Sequence, residues 1–546
     1  MPALVLALVI PSLGVAQSAT RTMVLTTATD TVSVEQVTRT ADRLAGELVA
    51  RRAGIRWRYV AHLTGEGLVS VLESEFLMVG DGPGARPRQV ARLTFTGDSV
   101  IATIDTGRAA RTQRLATRSG ALPWINPSFA LVEQAIRRAR QRGGDSVDVP
   151  GFAVSGGQTF TIAVRRLGAD SAVVTIGGVA ARLSVDSAGA ILGGSVPDQG
   201  LRLDVRPGAT DAALAGPKPD YSAPPGAPYT AEEVTVPAPG GFSLAGTLTL
   251  PRHASRTRTV PAVVTITGSG PQDRDEALPI VPGYRPFREL ADSLGRRGIV
   301  VLRLDDRGVF RSGGNAARAT TADFADDIRA ALAWLRNRPE IDGSRLALVG
   351  HSEGGIIAPM IAATDSALAG IVLLAAPSRT GRHVVEYQNR AAVERDSTIP
   401  SGARDSVVAA AMRQLESVAE TQPWVRFFLD YDPVTTAKRV RVPVLILQGE
   451  TDRQVTQDQA GELAAAFRAG GNRDVTVQVF PATNHLFMAD PDGNPARYAS
   501  LGTRSVRPQV MTMIADWLVT RLRPRRHRVR PGRRGRPAQP TMSPRM

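Results

Sequence analysis

The stretch Leu346-Ala347-Leu348-Val349-Gly350-His351-Ser352-Glu353-Gly354-Gly355 decides how this chain is read. Four apolar residues end at a glycine, a serine stands two positions further on, and a second apolar run covers 356–361. A short apolar run that meets glycines and then a longer apolar segment reads as a buried strand turning sharply into a helix. Only small flanking residues tolerate the backbone of such a turn, which lifts the serine hydroxyl clear of the sheet. The Glu353 N–H and the helix start then face any negative charge that develops on a group attacked by Ser352. Ser352 is the candidate nucleophile.

Outward from that turn, apolar strands alternate with amphipathic helices from about residue 231 to 522. A hairpin is expected over 233–250. Strands follow at 262–267, 299–304, 346–349, 371–375, 442–447 and 475–480, with helices at 284–297, 322–336, 355–363 and 510–521. Continuous apolar strands between helices predict a mostly parallel sheet covered on both faces, an α/β fold. Thr321 is expected to cap the helix at 322–336, with Asp323, Asp326 and Asp327 early and Arg336 late, as the helix dipole prefers. Residues 378–440 interrupt the pattern and predict a helical cap over the site, with Trp424, Phe427 and Phe428 as candidate lining residues.

A serine nucleophile needs a base. Downstream of Ser352 stand His383, His485 and His527. His527 lies among arginines and His383 reads as a solvated loop residue. His485 comes five residues after Phe480, in a loop that can reach the serine. The orienting acid is Asp452 or Glu450, in the loop after the strand at 442–447. Asp452 is favoured because it lies farther into the loop. The order serine, aspartate, histidine is that of the α/β-hydrolases.

Residues 231–522 resemble that superfamily, and most of all its secreted bacterial serine-aminopeptidase-like and acyl-ester hydrolases. The likeness is carried by Thr267–Asp275, Asp305-Asp306-Arg307-Gly308, Gly350–Gly355, and 442–452 with Asn484-His485. It implies that the Ser269 backbone N–H joins that of Glu353 as an oxyanion donor. The chain departs from many relatives at Thr267, where they have histidine, and at Phe310, where a glycine is common. The charged run Gln272–Glu276 reads as a salt-bridged loop that holds the oxyanion backbone. The expected activity is hydrolysis of acyl esters by Ser352, His485 and Asp452, without a cofactor or metal. One rival is a peptidase on the same machinery, which should direct cap acids such as Glu386, Glu394 or Glu416 at the site. A rival of another class is a non-catalytic envelope binding protein that keeps the fold as a ligand pocket.

The region before this is different. Residues 17–225 read as a β-rich accessory domain with one helix, capped by Asn126 with Pro127 at its first position, followed by a linker rich in proline and glycine over 207–228. Residues 1–16 combine an apolar run with Gly14 and Ala16 before Gln17, and predict an export leader.

Composition narrows the chemistry. With 66 Lys+Arg against 51 Asp+Glu, the formal charge is +15, yet ten arginines and no acid lie in 521–546. Residues 1–520 therefore carry only +5, and a tail over 523–546 is expected to be disordered. No aromatic residue is interleaved with those arginines, so nucleic-acid stacking is unsupported. Zero cysteines remove thiol nucleophiles, disulfides and cysteine-based zinc sites, and the six histidines contain no HExxH pair. Neither lysine, Lys218 nor Lys438, stands in a phosphate loop. No transmembrane segment is expected, because the longest apolar run falls far short of the roughly 20 residues a span requires. The partner implied is a small acyl ester or a short peptide.

Overall fold

Alternating and β-branched runs in the first part of the chain give antiparallel strands, and the apolar runs in the second give parallel ones. The computed structural model describes residues 19–524 except 28–30, 51–54, 80–85, 108–109, 209–219, 271, 279–280, 282 and 396–398. The expected leader, His527, residues 209–219 of the linker and the tail beyond Pro524 lie outside the described residues.

Among the described residues, the N-terminal strands form one 15-stranded sheet. Its first strand, Ala19–Thr26, pairs antiparallel with its last, Leu201–Pro207, which joins two meanders into a single surface. The helix Phe129–Arg142 packs on that sheet through Phe129, Leu131, Val132, Ile136 and Ala139. Its N-cap is Ser128, whose Oγ accepts the Leu131 N–H at 3.2 Å, and not Asn126. The Asn126–Pro127 pair precedes the helix in a turn.

The C-terminal sheet has eight strands, numbered here from its own first: β1 (Tyr229–Ala238), β2 (Phe242–Pro251), β3 (Val260–Ile266), β4 (Val300–Leu304), β5 (Ile341–His351), β6 (Gly370–Leu374), β7 (Val444–Gly449) and β8 (Val475–Phe480). Their order across the sheet is β1-β2-β4-β3-β5-β6-β7-β8, with β2 antiparallel and every pair from β4 onward parallel. Strands β3, β4, β6 and β7 are buried along their whole length, which explains why they read as unbroken apolar runs.

Helices α1 (Pro286–Gly295), α2 (Thr321–Arg336) and α3 (Gly354–Ala362) follow β3, β4 and β5. The cap of α2 is Thr320 rather than Thr321, because Thr320 and Asp323 close a reciprocal capping box. Thr321 is thereby freed for a contact described below. Between β6 and β7 lie α4 (Gly381–Arg395), α5 (Arg404–Thr421), α6 (Pro423–Asp430) and α7 (Pro433–Ala437). A helix that the sequence pattern did not mark, α8 (Asp458–Ala469), precedes β8, and α9 (Pro508–Arg521) closes the fold. Past the undescribed part of the linker, Tyr221 stacks on Arg274 at 4.2 Å and donates to Asp273 at 3.0 Å. This end of the linker is therefore docked on the loop after β3.

Candidate active site

Strand β5 ends in the turn that carries Ser352, whose φ is +51°, a left-handed value uncommon for a residue with a side chain. The turn is possible because its neighbours are glycines. A Cβ on Gly350 would overlap the Gly354 carbonyl, and one on Gly354 would overlap that of Ile266. The Ser352 N–H is tied to the Leu374 carbonyl of β6 at 2.8 Å, so the position is braced across the sheet.

His485 and Asp452 meet at 2.7 Å, with the His485 Nδ1–H donating to Asp452 Oδ2. Both are buried. Asp452 also accepts the N–H groups of Gln454 (2.8 Å) and Val455 (2.9 Å) on Oδ1, and the Gln448 side-chain amide (2.9 Å) on Oδ2. Four donors around one carboxylate fix its direction. Glu450 is exposed and accepts the Ala482 N–H at 2.8 Å, bracing the histidine loop instead of the imidazole. Within that loop the Asn484 carbonyl-type oxygen accepts the Leu486 and Met488 N–H groups, and the Tyr284 hydroxyl donates to the Leu486 carbonyl. His383 is exposed, as expected, and bonded to Thr380, but it stands in the first turn of α4 rather than in a loop.

The segment after β3 crosses over the serine. A Cβ placed on Gly268 would sit 3.3 Å from Ser352 Cβ. Carboxylates hold this segment on each side. Gly268 N–H donates to Glu276 Oε1 at 3.0 Å, and Gln272 N–H and the Thr267 hydroxyl donate to Asp306 at 2.9 Å each. Neither the Ser269 nor the Glu353 N–H meets an acceptor among the described residues. Burial pushes Asp306 well above the usual carboxylate range, against the bonds from Gln272 and Thr267. The Glu353 carboxyl is also pushed up by burial, against hydrogen bonds from Thr321, Trp424 and Ser269.

Glu353 thus ties the body to α6. Thr321 Oγ1 reaches Glu353 Oε1 at 2.7 Å and Trp424 Nε1 reaches it at 2.8 Å. Phe428 stacks on Trp424 at 5.1 Å, whereas Phe427 stacks on Tyr431. Of the acids on the inserted helices, Glu386, Glu394 and Glu416 are all exposed, and Glu416 pairs with Arg382.

The run Gln272–Glu276 is a salt-bridged loop, as its sequence suggests. Arg274 is 1% exposed and bonds Asp305 with two of its nitrogens and Glu233 with the third. Asp275 pairs with Arg303 and with Arg285. Sequence order passes over Gln448, Glu276 and His351. Gln448 precedes the glycine that ends β7 and carries no motif signal. His351 sits inside the serine motif, where the base would have to follow the nucleophile. At position 310 the departure from glycine is paid in conformation: Phe310 has φ +45°.

The family described as "Serine aminopeptidase, S33" matches residues 283–492. Esterase EstD of Thermotoga maritima is 29% identical over 306 residues, covering 54% of this chain and 68% of the relative. Dipeptidyl aminopeptidase BIII of Pseudoxanthomonas mexicana is 27% identical over 264 residues, covering 46% of this chain and 35% of the relative. A solved structure of the Pyrococcus furiosus esterase Pf2001 is similar at 16% identity and a TM-score of 0.37, covering 54% of this chain and 90% of that one. Taken with the strand order read above, the sequence likenesses support the α/β-hydrolase superfamily as the one that the C-terminal half of this chain is similar to.

Proposed function

We propose that the protein is a serine hydrolase that cleaves acyl esters through a covalent acyl-enzyme. The observation that carries this reading is a serine on a left-handed strand-to-helix turn, next in sequence to His351, whose ring lies 4.9 Å from that of His485, which is itself buried against Asp452 at 2.7 Å. Ser352 Oγ attacks the carbonyl carbon as His485 Nε2 takes its proton. Asp452 holds Nδ1–H, so the lone pair is on Nε2, and it stabilises the imidazolium that forms. The oxyanion is received by the Ser269 and Glu353 N–H groups. Collapse of the tetrahedral species expels the alcohol with the proton from His485. Water, deprotonated by His485, then attacks the acyl-enzyme and releases the acid and free Ser352.

Ester cleavage is favoured over removal of an N-terminal residue because the acids on the inserted helices are exposed, with Glu416 spent on Arg382. Glu353 is close enough to meet a substrate amine, but its oxygens are engaged by Thr321, Trp424 and Ser269. The helices α4–α7 serve as a cap, and Trp424 and Phe428 line the acyl side. A ladder of chromogenic acyl esters and aminoacyl anilides, with Ser352→Ala as control, tests the reading. Turnover of esters that vanishes in the control is expected, and turnover of anilides alone would reverse the ester assignment. Export is part of the proposal. The protein recovered from its native host should begin at Gln17, and an intact Met1 would refute it.

A further inference from the structure

His351 lies directly behind the nucleophile and bridges two loops. Its Nδ1 meets Glu276 Oε1 at 2.6 Å, and its Nε2 meets the His485 carbonyl oxygen at 3.1 Å. A carbonyl can only accept, so Nε2 carries a proton. Glu276 Oε1 already accepts from the Gly268 N–H, and a second N–H on Nδ1 completes the arrangement as an imidazolium against a carboxylate. Both side chains are buried, at 5% and 1% exposure. Burial pushes the His351 imidazole down, but the neighbouring Glu276 outweighs it and the net direction is upward.

Glu276 is held at φ +56°, a strained backbone for a residue with a side chain. Its Oε2 finds no hydrogen-bond partner among the described residues, and the residue lines an apolar cavity with Phe287, Leu290 and Phe487. The charge of this carboxylate is therefore answered through Oε1, by Gly268 and His351. The setting makes that necessary. Two buried carboxylates, Glu276 and Glu353, and the partly buried Asp306 bond the residues Thr267–Ser269 and Gln272, and an oxyanion forming on the Ser269 and Glu353 N–H groups tolerates only neutral or paired neighbours. Burial drives Asp306 and Glu353 toward their neutral forms. Glu276 instead has a cation.

We propose that His351 and Glu276 form a second carboxylate–histidine pair behind the first, in which His351 positions the His485 loop and neutralises the carboxylate that holds the oxyanion segment. Neither residue touches the substrate; both are positioning residues. The inference rests on the hydrolase reading above.

The test is steady-state kinetics of the full-length protein on the acyl ester that the wild type turns over fastest, for His351→Gln, Glu276→Gln and the double variant. Thermal melts run in parallel. Loss of His351 leaves an unanswered carboxylate against Gly268, so kcat should fall about 100-fold with KM within about threefold. Glu276→Gln keeps an acceptor for Gly268 and should cost kcat about 10-fold. The double variant should recover to the level of Glu276→Gln alone, since the uncompensated charge is gone. His351→Asn, which can keep the Nδ1-side bond and loses the one to His485, should fall with His351→Gln.

A folded His351→Gln with kcat within twofold of wild type overturns the proposal. So does a double variant whose losses simply multiply, or a change confined to KM. If His351→Gln melts below the assay temperature, Glu276→Gln and the double variant decide alone, and wild-type kcat in both overturns it. A wild type inactive on every acyl substrate overturns the hydrolase reading as well, which separates that failure from this one.

Discussion

Both halves of the chain bury carboxylates, and they do so for different ends. In the N-terminal half, Glu35 accepts from Tyr59 (2.6 Å), Ser128 (2.5 Å) and the Ala130 N–H (3.0 Å). Glu133 answers Arg21 and Arg137 and accepts the Ile191 N–H. Every one of these partners belongs to the same sheet-and-helix layer, and all of the bonds but Glu35–Tyr59 and the i,i+4 pair Glu133–Arg137 fasten the helix Phe129–Arg142 or its cap to the sheet strands. In the C-terminal half, Glu276, Asp306, Glu353 and Asp452 stand on the segments that follow the carboxyl ends of β3, β4, β5 and β7. Parallel strands bring those ends to one edge, where α/β sheets receive their ligands. The same side chain is a fastener in one topology and part of a site in the other. Placement decides which.

The largest effect should separate the two halves outright. Ser352→Ala or Asp452→Asn should cut kcat by about 10⁴-fold or more if the proposed chemistry holds, with the melting temperature unchanged in Ser352→Ala, whereas Asp452 also holds the Gln448, Gln454 and Val455 donors. Retention of even a tenth of wild-type turnover in either would break the distinction. Glu35→Ala is the mirror experiment. Stripping the acceptor from Tyr59, Ser128 and Ala130 should cost about 1–3 kcal/mol of stability in denaturant titrations, with turnover per folded molecule unchanged. A selective loss of kcat there would mean that the accessory region acts in catalysis.

Trp424→Phe keeps the ring against Phe428 and removes the indole N–H from Glu353. A shift of about two- to tenfold in KM across the acyl ladder is expected, with little change in stability. An unchanged chain-length profile would remove α6 from the acyl side. The smallest effect sharpens the comparison from within the catalytic half. Glu289, on α1, is pushed up to about 7 by burial, against the Val506 N–H and Ser505 bonds, and it packs the approach to α9 rather than the site. A carboxyl whose folded pKa exceeds its unfolded value contributes stability below the unfolded value, near 4.5, and loses it as pH rises through about 7. Glu289→Gln should therefore flatten the fall in stability between about pH 5 and pH 7. Equal slopes in variant and wild type would show that the group is not titrating there.

Much of the catalytic half was legible because local patterns and the fold agree. The strand at 346–349, the glycines around Ser352 and the order of Ser352, Asp452 and His485 each carry their meaning within a few residues. The resemblance to the hydrolase superfamily added Ser269. Errors of a residue or two arose where local chemistry competes. Adjacent threonines at 320 and 321 can both cap α2, and only the reciprocal bond of Thr320 with Asp323 selects between them. Helix α8 went unmarked because it lies between a loop and β8, with a weak apolar stripe. In the N-terminal half the strands alternate clearly, but nothing local announces that first and last strands pair to make one sheet.

The sequence by itself determined the α/β alternation, the sharp turn at Ser352 and the exclusion of thiol and phosphate-loop chemistry, since these follow from periodicity, glycine placement and residue counts. Tertiary structure alone decided which acid meets His485 and which serves as a brace, because Asp452 and Glu450 differ only in where the loop after β7 points them. It also decided that His351, 134 residues from His485, touches that residue's carbonyl, while Glu276 holds the segment over the serine. Parallel strands bring such residues together, and no local pattern records a contact between groups so far apart along the chain.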